Sequence, residues 1–161
     1  MIGTPKLGCS DGAGGFLFVR RIAGGVAIAA PHQRAPDSAA DSTDHVVKRV
    51  LANGTLITVA GVSATSGYSG ESLPARSSLL ANPQAVAPLA SSNGYLISCR
   101  LTNRIMLLTN GVLTTIAGTG TAGLSGDGGL ATSAAINPSF GGVAADPSGA
   151  GGGFVWSDQG A

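Results

Sequence analysis

The sequence contains NGTLITVAG at residues 53–61 and a near copy, NGVLTTIAG, at residues 110–118. Downstream of each copy the chain repeats itself again, because GYSGESLPARSSLLANP at residues 67–83 matches GLSGDGGLATSAAINP at residues 123–138. Matches in the same order are improbable by chance, and self-similarity at a fixed period is the signature of a repeat protein. The chain therefore contains two copies of a repeat unit, in addition to the partial segments that flank them.

The repeat pattern predicts that both ends of the sequence fall within a unit. DGAGGFLF at residues 11–18 parallels PSGAGGGFVW near the end of the chain, and DSTDHVVKRV at residues 41–50 stands where RLTNRIMLL stands in the next unit. Residues 20–40 have no counterpart, which indicates an insertion, a loop of low order or an error in the gene prediction. We expect a degenerate partial unit with an unmatched insertion over residues 1–40, and repeats over residues 41–161.

Each unit has the pattern of short strands joined by tight turns. The apolar runs of the second unit are residues 94–99, 104–108 and 112–116. Asn110 and Gly111 separate the last two runs, and such a pair predicts a two-residue hairpin turn because both turn residues need a positive φ. Another strand is expected after each Asn-Pro pair, around Val86 and Val143, which are separated by the same distance as the two copies of the first motif. Each unit thus contains about four short strands, the number found in one propeller blade.

The combined motifs resemble the NHL repeat, the blade unit of NHL-type β-propellers. They are LTTIAGTGTAGLSGDGGLATSAAINPSFGGVAADPSGAGGGFVWSD at residues 113–158 and GYLISCRLTNRIMLL at residues 94–108. The resemblance covers roughly residues 41–161 and implies an all-β fold, a partial β-propeller built from four-stranded antiparallel NHL-like blades. It also implies a role in recognising protein or RNA, since NHL propellers mostly act in this way.

The chain departs from the NHL pattern in two respects. The family carries an Asp at the end of one strand, where Asp158 and Asp41 fit but Cys99 stands in the middle unit. About two blades are also too few to close a ring, since propellers have four to eight. A closed ring would therefore require further repeats or several copies of this chain, so a homo-oligomer is one expectation.

Composition excludes several classes of function. The net charge is +1 and the Lys and Arg residues are scattered, so no basic field is available to bind nucleic acid. No apolar run approaches the roughly 20 residues of a spanning helix, and no membrane association is expected. Cys9 and Cys99 lie far apart without a metal-binding spacing, and their roles stay open.

Motifs that could support catalysis or ligand binding are weak. The glycine-rich stretch at residues 118–129 lacks the lysine of a phosphate-binding loop and is interpreted as a connection between blades. Asp127, Asp146 and Asp158 could bind calcium, but their spacing matches no calcium loop. His32 and His45 are the only histidines, and no nucleophile motif accompanies them. We therefore predict no catalytic residue, no metal and no cofactor.

The function that fits these observations best is a non-catalytic interaction scaffold. Propeller blades present variable loops on a rigid support, and such surfaces recognise proteins or glycans. The candidate interaction residues lie at corresponding places of the two units: Tyr68, Ser69, Glu71, Leu124, Ser125 and Asp127. Two alternatives stay open, namely a fragment of a propeller-type metal-dependent hydrolase or lyase, and a truncated gene product without independent function.

Overall fold

The computed structural model describes residues 18–22, 25–29, 38–51, 53, 55–89, 94–138, 142–146 and 153–159. Its strands are β1 (Phe18–Ile22), β2 (Gly25–Ala29), β3 (Ser38–Asp41), β4 (Val46–Val50), β5 (Leu56–Ala60), β6 (Leu73–Pro74), β7 (Pro83–Pro88), β8 (Tyr95–Cys99), β9 (Arg104–Thr109), β10 (Val112–Ala117), β11 (Val143–Ala145) and β12 (Phe154–Trp156). Short 3-10 turns occupy Ala75–Ser77, Arg100–Thr102 and Ala131–Ser133.

The strands form two five-stranded sheets and a two-stranded hairpin, and every pairing within them is antiparallel. We call β2 to β5 the first blade, β7 to β10 the second blade, and β11 with β12 the third sheet. The prediction of an all-β partial propeller with antiparallel blades is confirmed. Each blade carries one additional edge strand, which is β1 beside β2 in the first sheet and β6 beside β10 in the second.

Residues 20–40, which have no counterpart in the sequence repeat, contribute strands to the first sheet. β2 pairs with β3 there, as β7 pairs with β8 in the second blade. The strand pattern in this part of the sequence is weak because β2 is rich in Gly and Ala, which have little intrinsic preference for strands.

The repeat is visible in the backbone as well as in the sequence. The ladder between β4 and β5 shifts its register at Val59, and the ladder between β9 and β10 shifts at Ile116, the corresponding position of the next unit. Each shift is a β-bulge, which increases the local twist of the hairpin. The turn at Asn110 and Gly111 has φ values of 51° and 75°, as a type I′ turn requires, so the predicted hairpin is confirmed.

The second blade is covered on both of its faces. One apolar cluster packs it against the first blade through residues that include Val47, Val86 and Ile97. A second cluster packs its other face against the third sheet and includes Leu96 and Val143. Every residue of β8 is therefore buried, which explains its nearly continuous apolar sequence, Tyr-Leu-Ile-Ser-Cys.

Gly61 and Gly118 are the residues at which the chain leaves the last strand of the first blade and of the second blade. Their φ values are 93° and 95°, a region that residues with a Cβ rarely adopt. A Cβ at Gly61 would meet the carbonyl oxygen of His45, and one at Gly118 would meet that of Asn103. His45 and Asn103 themselves have positive φ at the turn between the second and third strands of their blades. Close packing of these two turns therefore requires glycine at residues 61 and 118.

Within the part of the chain that the structure describes, no helix is long and apolar enough to cross a membrane.

Candidate functional site

Two loops carry the six predicted interaction residues, and they share one backbone framework. The first loop is residues 61–72, after β5, and the second loop is residues 118–130, after β10. In the first loop, the N–H of Gly61 donates to Ala75 O at 2.9 Å, and in the second the N–H of Gly118 donates to Ala131 O at 2.9 Å. Each loop leads into a 3-10 turn that begins at the accepting alanine.

The first loop is attached to the second blade by its predicted interaction residues. The Tyr68 hydroxyl donates to one oxygen of the Glu71 carboxylate. The other oxygen accepts a hydrogen bond from the backbone N–H of Thr115 on β10, at 2.6 Å. The Arg104 guanidinium lies 4.1 Å from the centre of the Tyr68 ring, which is a cation–π geometry. Tyr68 and Glu71 thus dock the loop on the hairpin of β9 and β10.

The environment of Glu71 favours its ionised form. Partial burial on its own would raise the pKa of the carboxyl group, because a charge is harder to keep away from water. Hydrogen bonds from Thr115 and Tyr68 and the positive charge of Arg104 outweigh that effect and lower the Glu71 pKa below its usual value of 4.5. The remaining first-loop candidate, Ser69, accepts a hydrogen bond from the Leu79 N–H on its Oγ at 2.7 Å.

Arg104 connects the two loops and was not among the residues predicted from the sequence. It donates to Thr102 O at 3.0 Å and to Thr119 O of the second loop at 2.7 Å. A Cβ at Gly120 would collide with its guanidinium group, so the missing side chain at that position leaves room for Arg104. An arginine at the start of a predicted strand, facing a glycine-rich loop, was the signal that could have identified it.

The second loop is much more open. Leu124 is 62% exposed and Ser125 is also exposed, although the Ser125 N–H donates to Ala135 O at 3.2 Å. The Asp127 carboxylate makes no hydrogen bond or ion pair to the residues that the structure describes. Tyr68 and Glu71 have partners at the corresponding places of the first loop, so the two loops differ in their contacts despite their shared framework.

A cleft of about 650 Å³ lies between the second loop and the third sheet. Among the residues that line it are Leu124, Asp127, Ile136, Phe154, Trp156 and Asp158. The Phe154 and Trp156 rings are 5.7 Å apart between centroids and form part of its wall. Asp158 is already engaged, because it accepts hydrogen bonds from the Asn137 N–H at 2.8 Å and from the Trp156 Nε1–H at 3.2 Å. The six predicted residues thus divide between two places, since Leu124, Ser125 and Asp127 line the cleft and the first-loop residues do not.

His45 and Cys99, which could have served as a ligand or a catalyst, are instead part of the packed structure. Among the described residues, no group of three or more His, Cys, Asp or Glu side chains is placed to hold a metal ion. His45 accepts the Asn82 N–H on its Nδ1 at 3.1 Å and so joins the first blade to the start of β7. Cys99 is fully buried, and burial raises the pKa of its thiol to about 12. Cys9 and His32 lie outside the described residues.

Comparisons with known proteins identify the fold through solved structures. A structural genomics protein of unknown function from Bacteroides thetaiotaomicron VPI-5482 is similar, with a TM-score of 0.59, 15% identity, and coverage of 81% of this chain and 39% of that chain. An auxiliary nutrient binding protein from the same organism is similar with a TM-score of 0.54, 16% identity, and coverage of 84% and 41%. The chain has a propeller-like fold.

This likeness concerns the fold alone, because the identities are low. The chain spans about two-fifths of the length of each of these two proteins. No protein-family profile matches the chain, and no curated protein matches it.

Proposed function

We propose that the chain is part of an NHL-like β-propeller that acts as a non-catalytic binding scaffold and recognises a protein or a glycan through the loops between its blades. The observation that carries this proposal is the pair of connecting loops. They share their glycine and alanine framework but differ in their side chains, since Tyr68 and Glu71 attach the first loop to the second blade, whereas Leu124 and Asp127 of the second loop are exposed. A fixed framework with variable side chains is typical of binding surfaces.

The rigid part of this scaffold is the second blade, whose two faces are both packed. The loops begin at Gly61 and Gly118, close to the turns that contain His45 and Asn103, so both loops start at the same end of their blades. One structural neighbour is an auxiliary nutrient binding protein, and a binding role for this fold is in line with that description.

The chemistry of the loop surface favours a protein or glycan over a nucleic acid. The first loop exposes Ser63, Thr65 and Ser66, and the second exposes Thr119 and Thr121. Small hydroxyl side chains let a partner approach the backbone closely and form hydrogen bonds with it. The net charge of +1 provides no field for a phosphate backbone.

The test is a binding screen of the whole chain against a glycan array and a peptide library, followed by loop variants. Ser63→Arg and Thr121→Arg add bulk to the first and second loops, and we expect at least one of them to weaken binding tenfold or more. Thr55→Arg is the matched control, because Thr55 is exposed at the opposite end of β5 from Gly61. Binding in only one screen would identify the class of partner. Absence of binding in both screens, or an equal loss with Thr55→Arg, would overturn the proposal.

A further inference from the structure

We propose that the cleft accommodates a β-hairpin from another copy of this repeat, with the sequence pattern of β9 and β10. The proposal rests on the architecture and not on the loop partner proposed above. The repeat creates two equivalent positions for such a hairpin, one beside each of the two loops. Beside the first loop the position is occupied by β9 and β10 of the chain itself, and we call it the filled place. Beside the second loop the position is the cleft.

The filled place shows which contacts a hairpin makes. There, β9 places Arg104 over the ring of Tyr68, and the Thr115 N–H on β10 donates to the Glu71 carboxylate. Alignment of GYSGE in the first loop with GLSGD in the second places Leu124 where Tyr68 stands and Asp127 where Glu71 stands. Asp127 is therefore positioned as an acceptor for the N–H of an arriving outer strand, and its carboxylate has no partner within the described part of the chain.

The backbone beside Asp127 is also arranged for an outer strand. In the filled place, β6 pairs with β10, and the Ser72 N–H donates to Leu113 O at 2.9 Å. The residues that correspond to β6 are Gly129 and Leu130. Leu130 is extended, with φ −72° and ψ 129°, close to the −55° and 124° of Pro74 in β6. Leu130 is 75% exposed and is therefore accessible to a pairing strand.

The third sheet offers a free edge at the same cleft. β8 lies between β7 and β9, and all five of its residues are buried. β12 corresponds to β8, but in the described residues it pairs with β11 alone, and Val155 is 63% exposed. An edge strand with an exposed apolar side chain is a template for pairing with another strand. A small ligand would contact the rings of the cleft but would leave this edge and Leu130 uncovered.

The register of the third sheet fits such an addition. The Gln159 N–H donates to Asn137 O at 3.0 Å, as the Arg100 N–H donates to Asn82 O at 3.2 Å. Gln159 thus holds the place of Arg100, the residue from which the chain turns into β9. A hairpin that starts at this point would lie beside β12 and reach Asp127 with its second strand.

The test uses a peptide with the sequence of residues 100–119, RLTNRIMLLTNGVLTTIAGT, added to the whole chain. Trp156 is the only tryptophan and lies in the cleft, so its fluorescence reports directly on occupation. We expect a saturable shift of the emission to shorter wavelength with one peptide per chain, and no shift with a scrambled peptide. Asp127→Ala should weaken binding about tenfold, whereas Thr132→Ala, an exposed neighbour on the 3-10 turn, should not change it.

A peptide variant isolates the predicted hydrogen bond. Thr115→Pro in the peptide removes the N–H that would donate to Asp127. It should weaken binding to the unmodified chain, and Asp127→Ala should add little further loss with this peptide, because both changes remove the same bond. Independent, additive losses would overturn the assignment of Asp127 as the acceptor.

A covalent fusion of the peptide to the chain tests the proposal even if the free peptide does not fold by itself. The same peptide sequence is joined directly behind Asp158, with a scrambled sequence joined as control. We expect a higher melting temperature and a blue-shifted Trp156 emission for the native sequence only. The proposal would be overturned by equal effects of both sequences, by no effect in either format, or by displacement of the hairpin by a sugar from the array. Ser63→Arg should leave hairpin binding intact, which separates this result from the loop proposal.

Discussion

The Glu71 carboxylate accepts the backbone N–H of Thr115 at 2.6 Å, although the two residues lie 44 positions apart in the chain. The bond joins the first loop to β10, the fourth strand of the second blade. Because the same carboxylate also accepts the Tyr68 hydroxyl, one acidic side chain satisfies a strand N–H and orients the ring beneath Arg104. The junction between the blades therefore depends on a loop residue as well as on the apolar core.

Replacement of Glu71 by Gln should destabilise the chain by about 0.5–1.5 kcal/mol, because a charged acceptor is lost at an exposed position. Urea unfolding followed by circular dichroism measures this change. Asp127→Asn is the matched control at the corresponding position of the second loop, and it should stay within about 0.5 kcal/mol of the parent chain. Equal losses for both variants would show that the Thr115 contact does not stabilise the junction.

The lowered pKa of Glu71 also predicts a dependence on pH. Its folded-state pKa lies below the usual 4.5, so the unfolded chain binds more protons in this range and stability rises with pH. The contribution is complete above about pH 4.5 and is lost as the pH falls through the folded-state value. The parent chain should therefore lose more stability than the Glu71→Gln variant between pH 6 and pH 3. Parallel losses in the two chains would contradict this assignment.

Local sequence chemistry was sufficient to predict the hairpins and the repeat. Asn110 and Gly111 adopt the two positive φ values of their turn because few other residue pairs tolerate them. The recurrence of Gly61 as Gly118 corresponds to two equivalent close contacts with a neighbouring turn. These features depend on a few consecutive residues, and a single sequence displays them directly.

Contacts between distant residues could not be predicted in the same way. β6 has only two residues, Leu73 and Pro74, and no periodicity marks it as a strand. It forms because the flanking N–H groups of Ser72 and Ala75 meet carbonyl oxygens around β10. An acid within a Ser- and Gly-rich loop suggests solvent exposure, so the sequence favoured an interaction role for Glu71 and did not indicate its attachment to Thr115.

Gly118→Ala should destabilise the chain by about 2–4 kcal/mol, because it combines left-handed backbone strain with a collision against the Asn103 carbonyl oxygen. Gly111→Ala is the control for strain alone. Its φ is 75°, but no atom lies within 4 Å of an added Cβ, so about 1 kcal/mol is expected. Denaturant titration of the two variants gives the difference. A similar loss in both would mean that the close contact is relieved by movement of the turn.

The pair of Arg104 and Tyr68 should show a coupling free energy of about 0.5–1 kcal/mol in a double-mutant cycle. Arg104→Met, Tyr68→Leu and the double variant are compared with the parent chain by thermal and chemical unfolding. Arg104→Lys retains the positive charge but loses the planar fork that reaches Thr102 and Thr119, so it should also be destabilising alone. Additive effects would indicate that the ring and the guanidinium group stabilise the junction independently.

Cys99 should be unreactive towards thiol reagents in the folded chain. It is fully buried, and its pKa of about 12 leaves almost no thiolate, the reactive form, at neutral pH. In a Cys9→Ser background, the rate of labelling by a disulfide reagent should be negligible without denaturant and should rise with the unfolding transition seen by circular dichroism. Rapid labelling of the native chain would show that β8 opens locally. Since β8 is an inner strand of the second blade, between β7 and β9, and is buried on both faces, such opening would contradict the view of this blade as the rigid part of the scaffold.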